Sequence, residues 1–165
     1  MEFDHLQSKL RGLSRLLSRL ATKIQASQSR DELNLAIFNL VNSTALQVVL
    51  LSRYMGDPVQ SVAFVCRNLY ELNLILRCIL AVPTRARDWF AERAVDEKEA
   101  LEGFISTASP AAASQVSVLR DRLTQIDMIL SRAGINPTKR PTARDLAESI
   151  GHGDEYISMF KFLSK

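Results

Sequence analysis

The 165 residues suffice for one domain with a core of its own, and 47% apolar against 24% charged residues excludes a disordered chain. The net charge of +3 is mild but uneven: residues 5–30 carry Lys9, Arg11, Arg15, Arg19, Lys23 and Arg30 and no acid. Cys66 and Cys78 fall in one helical segment, roughly 18 Å apart at 1.5 Å per residue, which excludes a disulfide between them.

The first segment reads as a helix from Asp4 to Gln25. Phe3, Leu6, Leu10, Leu13, Leu17, Leu20 and Ile24 alternate steps of three and four, the spacing of a heptad seam. Arg11, Arg15, Arg19 and Lys23 advance by four on the opposite face. Asp31 or Ser29 caps a second helix that runs to Met55 and stops at Gly56-Asp57-Pro58. Its stretch Leu33–Leu51 has no charge, yet Asn34, Asn39, Asn42, Ser43, Thr44 and Gln47 make a bilayer span expensive. A buried central helix is the expectation, with no membrane span.

Pro58 opens the third helix, Val59 to Val82. It is apolar on nearly every side but carries Arg67, Glu71 and Arg77. Arg67 and Glu71 share a stripe with Phe64, Leu74, Ile75 and Cys78, within about 40° of one another. A charge on such a helix is expected to be buried and paired, with Tyr70 and Asn73 as accessory hydrogen-bonding groups. Arg77 points about 120° away from Glu71 and is expected to reach solvent.

Thr84 is placed to cap a fourth helix through Thr107, with Phe90, Ala94, Leu101, Phe104 and Ile105 on one face and charges of both signs on the other. After Ser109-Pro110, a fifth helix sets Val116, Leu119, Leu123, Ile126, Leu130 and Ala133 along one seam and ends at Gly134. A Pro-rich loop with Lys139 and Arg140 follows. Thr142 caps a short helix to Ile150, and Gly151-His152-Gly153 separates it from a last helix. No strand pattern competes. The fold expected is all-α: one domain, residues 1–165, with five long helices in an antiparallel bundle and a short helical C-terminal pair.

Most enzymatic signatures are missing. The chain has no phosphate-cradling glycine loop and no His-Glu-x-x-His motif, and its two histidines, His5 and His152, fit surface groups better than a metal site. No cofactor or metal is expected. A helix-turn-helix reading of residues 142–160 fails because His152 stands at the turn and Asp154 and Glu155 would face phosphate.

Three segments together resemble a bacterial family of all-helical domains of unknown function: Arg67-Asn-Leu-Tyr-Glu71, the helix containing Trp89-Phe90, and Tyr156 followed by Leu163-Ser164. The resemblance covers roughly residues 35–165 and implies that Arg67, Glu71, Tyr156 and Ser164 belong to one polar cluster. Members of that family typically continue past the Leu-Ser with a histidine, whereas this sequence stops at Lys165, so a histidine-dependent activity is not among the expectations. The family also looks distantly like HEPN-type helical domains, some of them ribonucleases with an Arg-x4-6-His motif. Arg144 and His152 are too far apart for it.

The leading expectation is therefore a cytoplasmic module that binds a partner or a small anionic ligand. Its candidate ligand residues are Arg67, Tyr70, Glu71, Tyr156 and Ser164, and the first helix is the expected homodimer interface. Two alternatives stand beside it. One is nucleic-acid association through the basic patch Arg11, Arg15, Arg19 and Lys23. The other is a hydrolase-type enzyme at the Arg67/Glu71 cluster.

Overall fold

In the computed structural model, residues 2–27, 31–109, 112–133 and 141–163 are described. They form seven helices and, among the described residues, no strand: α1 (Glu2–Ala26), α2 (Glu32–Tyr54), α3 (Val59–Ala81), α4 (Arg85–Thr107), α5 (Ala113–Ala133), α6 (Ala143–Ser149) and α7 (Gly153–Leu163). The protein is an all-α bundle. Lys139, Arg140 and Ser164 lie outside the described residues.

The helix ends follow local chemistry. The Asp31 carboxylate accepts from the Asn34 amide at 2.7 Å and caps α2. Gly56, at φ 109°, takes a left-handed conformation that other residues rarely adopt, and it turns the chain into α3. Thr142 and Asp145 form a reciprocal capping box on α6, and Gly151, at φ 77°, ends that helix.

The chain divides into two compact units, Met1–Ala86 with Pro141–Lys165, and Arg87–Arg140. In the first, α2 packs against both α1 and α3, while α6 and α7 pack against each other and against α3. Ala36, Leu40, Val41, Ala45, Val48, Val65, Leu74, Cys78, Ile79 and Ala147 are buried there. By length and composition α2 would cross a bilayer, the one such helix among the described residues, and a third of its most apolar stretch is buried.

The seam of α1 is rotated from the one the leucines suggest. Its inward row is Gln7, Leu10, Ser14, Leu17, Ala21 and Ile24, with Ser14 and Ala21 buried. Ser14 Oγ donates to the Ala45 carbonyl at 3.2 Å, and Gln7 Nε2 donates to the Ser52 carbonyl at 2.7 Å. Small side chains at two central positions let the α1 and α2 backbones approach, which a row of leucines would prevent. Leu6, Leu13 and Leu20 are left half exposed.

In the second unit, Ala91, Ile126 and Leu130 form a core with Ala94, Val95 and Leu101 packed against it. The predicted α5 seam is thus the inward one. On α4 the inward face is Ala91, Ala94, Val95 and Leu101, which keeps Ala94 and Leu101 of the expected face, while Phe104 is exposed. Two ion pairs bridge the helices: Lys98 to Asp127 at 2.6 Å, and Arg122 to Glu97 at 2.7 Å.

Candidate functional site

The polar groups of the first unit gather where α7 runs antiparallel along α3. Three contacts fix that register: Arg77 with Glu155, Tyr70 with Tyr156, and Arg67 with Phe160.

Arg67 and Glu71 do pair, Nε to Oε1 at 3.0 Å, but the pair is not buried: 55% and 36% of the two side chains face solvent. The expectation of a sealed Arg/Glu couple is overturned. Its stripe on α3 is covered only toward the C-terminal end, where α6 and α7 pack and Leu74 and Cys78 are buried. One to three turns earlier the same stripe is open, and Phe64 is 64% exposed. Periodicity defines a stripe along the whole helix, whereas burial depends on how far the covering helices reach. The Arg67 guanidinium instead lies 5.2 Å from the centroid of the Phe160 ring.

From Phe160 an aromatic ladder leads inward. Its ring stacks on Tyr156 at 5.7 Å between centroids, and Tyr156 lies 6.3 Å from Tyr70. The Tyr70 hydroxyl oxygen is cut off from solvent and has no hydrogen-bond partner among the described residues. Desolvation pushes its pKa above the ordinary value of 10.0, and the negative charge of Glu155 raises it further, against an opposing effect from Arg77.

Next to it, a single carboxylate oxygen meets two nitrogens. Glu155 Oε2 accepts from Arg77 Nη1 at 3.3 Å, and His152 Nδ1 lies 2.8 Å from the same oxygen. Arg77 reaches solvent as expected, with 40% of its side chain exposed, but it also crosses to α7 to pair with Glu155. His152, read from sequence as a plain surface group, is half exposed but engaged. No sequence signal joins these residues, because Arg77 and Glu155 are 78 positions apart. Below them, Cys78 Sγ lies 3.6 Å from the Leu146 carbonyl, and Arg85 donates to Ser149 Oγ at 3.0 Å. The first contact ties α6 to the end of α3, the second to the first residue of α4.

Of the residues singled out from sequence, Arg67, Tyr70, Glu71 and Tyr156 do come together on this seam. Ser164 lies outside the described residues. Arg11, Arg15, Arg19 and Lys23 are all exposed on α1, away from the seam. Among the described residues no cluster of three or more His, Cys, Asp or Glu side chains is placed to hold a metal ion.

With this geometry in hand, a family model matches the chain over residues 35–165. The chain belongs to the family of unknown function DUF5677. The DUF5677 match begins inside α2 and takes in the whole α3–α7 seam, while α1 precedes it. No curated protein and no solved structure matches the chain.

Proposed function

We propose that this DUF5677 protein is a binding module whose α3–α7 seam receives a small ligand bearing an acceptor oxygen, a carboxylate or phosphate. The observation that carries the reading is the dry, unpartnered hydroxyl of Tyr70. A buried donor left unmade costs about 1–3 kcal/mol, a cost that an incoming oxygen removes.

The balance of donors and acceptors supports the same chemistry. Arg77 Nη1 donates to Glu155 Oε2 at 3.3 Å and His152 Nδ1 lies 2.8 Å from the same oxygen, so nitrogen groups already gather on one carboxylate oxygen of the seam. The Tyr70 O–H is a buried donor left without an oxygen among the described residues, which an incoming acceptor would supply. Binding fits it better than catalysis. The nearby thiol on the same helix, Cys66, is held toward its neutral form because burial pushes its pKa up from 9.0.

The test is titration of the full chain with inorganic phosphate and with acetate, followed by amide NMR and thermal unfolding, beside Tyr70→Phe. The expected result is perturbation localised to α3 and α7 in the wild type and its loss in Y70F. No response to either anion, or an equal response in Y70F, removes the reading.

A further inference from the structure

Helix α1 carries a second interhelical seam that the first unit does not use. One position before each residue of the α2-facing row, Leu6, Lys9, Leu13, Leu16, Leu20 and Lys23 repeat the same alternation of three and four. The first row is closed by α2. The second is open along its length, its four leucines 43–62% exposed and its two lysines exposed. A helix with two adjacent heptad rows is built to lie between two neighbours, and among the described residues only α2 packs on α1.

The charges bordering the open row are of one sign. Lys9 and Lys23 sit within it, Arg15 and Arg19 flank it, and none of the four has an ion-pair partner among the described residues. Residues 5–30 contain no acid to neutralise them. That charge selects among occupants. A second copy laid antiparallel along the same row would set Arg15 beside the partner's Arg15 with no carboxylate near. A bilayer would also take an apolar face, but Lys9 and Lys23 stand within the row that would have to enter the apolar layer and shorten it to the stretch between them. Nucleic acid would engage the cations but not four leucines.

We infer that the open row of α1 docks an acidic amphipathic helix from a partner protein, with apolar residues at its own heptad positions and Glu or Asp beside them. The leucines supply the contact area. Lys9, Arg15, Arg19 and Lys23 set partner choice and orientation, as flanking charges do in coiled coils. This surface is separate from the α3–α7 seam, so either site can fail without the other.

The probe is a synthetic four-heptad peptide with leucine at the seam positions and glutamate flanking them, and a lysine-flanked twin as control. Binding to the full chain is followed by fluorescence anisotropy at low and high salt. The expected result is salt-sensitive binding of the glutamate peptide alone. It should weaken roughly tenfold or more in L13A/L16A and in R15E/R19E, and the latter should gain affinity for the lysine peptide. All four residues are exposed, and circular dichroism verifies that both variants keep the wild-type helicity and unfolding temperature. Three results overturn the proposal: no binding of the glutamate peptide; concentration-dependent self-association abolished by L13A/L16A, which assigns the row to a second copy; or binding of anionic vesicles or single-stranded RNA in place of the peptide.

Discussion

Arg67 stands with its guanidinium 5.2 Å from the Phe160 ring centroid while its Nε donates to Glu71 at 3.0 Å, so one side chain links two helices. Both contacts are open to water, where a cation–π pair contributes about 0.5–1 kcal/mol and an i,i+4 ion pair about 0.3–0.5 kcal/mol. Arg67→Lys keeps the charge but loses the flat stack and fork. It should cost less than about 1 kcal/mol in urea unfolding. A loss above about 3 kcal/mol would mean the pair is sealed in solution after all.

At Tyr70 the expected sign is unusual. In the absence of ligand, Tyr70→Phe removes an unsatisfied buried hydroxyl and keeps the ring against Tyr156. Thermal unfolding of the variant should be unchanged or higher, by up to about 1 kcal/mol of stability. A clear loss would reveal a partner for the hydroxyl.

The two ends of the α3 stripe should respond oppositely to truncation. Leu74 is fully buried, and Leu74→Ala should cost about 2–5 kcal/mol. Phe64 on the same stripe is 64% exposed, and Phe64→Ala should fall within about 0.5 kcal/mol of the wild type. Equal losses in chemical denaturation would show that a further element covers Phe64.

Ser14 tests the close approach of α1 and α2. Ser14→Ala gives up one hydrogen bond to the Ala45 carbonyl and should cost about 0.5–1.5 kcal/mol. Ser14→Leu must also push the helices apart and should cost a further 1–3 kcal/mol, roughly, although it makes α1 a more regular leucine seam. Parity between the two variants in their unfolding midpoints would contradict the packing.

The second unit carries a pH signature. Arg122 grips both oxygens of Glu97, at 2.7 and 3.0 Å, and this hydrogen bonding holds the carboxyl below its ordinary value of 4.5. A group more acidic folded than unfolded binds fewer protons when folded. Its stabilisation is complete above 4.5 and is lost as pH falls through the lowered value. The pair is half exposed, so the effect should be small and screened by salt. The gap in unfolding midpoint between wild type and Arg122→Gln should be widest above about pH 5 and close on acidification. A gap that persists at pH 2 would assign the effect to packing.

The parts legible in the sequence are those that a helix decides alone. The Asp31 and Thr142 caps, the turn at Gly56 and the i,i+4 pairing of Arg67 with Glu71 each depend on residues within one or two turns. The α5 seam was equally plain, because it presents one apolar row. On α1 two leucine-bearing rows run side by side, and side-chain size selects a seam that mixes them, Leu10, Leu17 and Ile24 from the inward row with Leu6, Leu13 and Leu20 from the open one. The inward row is marked by small Ser14 and Ala21, whose value appears only when α2 approaches. The site was half legible. Arg67, Tyr70, Glu71 and Tyr156 stand out by type, but their exposure, and the roles of His152, Glu155 and Arg77, are set by where α7 lands on α3.

The first unit is discontinuous in sequence: the chain leaves it after Ala86 and returns at Pro141. Helices α1 to α3 follow one another within a few residues, but α6 and α7 reach α3 only after the chain has passed through the second unit. Closure of such a loop is costly to begin yet rises by only about 0.6 kcal/mol for each doubling of its length. The α3–α7 seam should therefore be among the last parts of the unit to assemble, while the intervening stretch remains free to grow or shrink over evolutionary time with little penalty to the fold that hosts it.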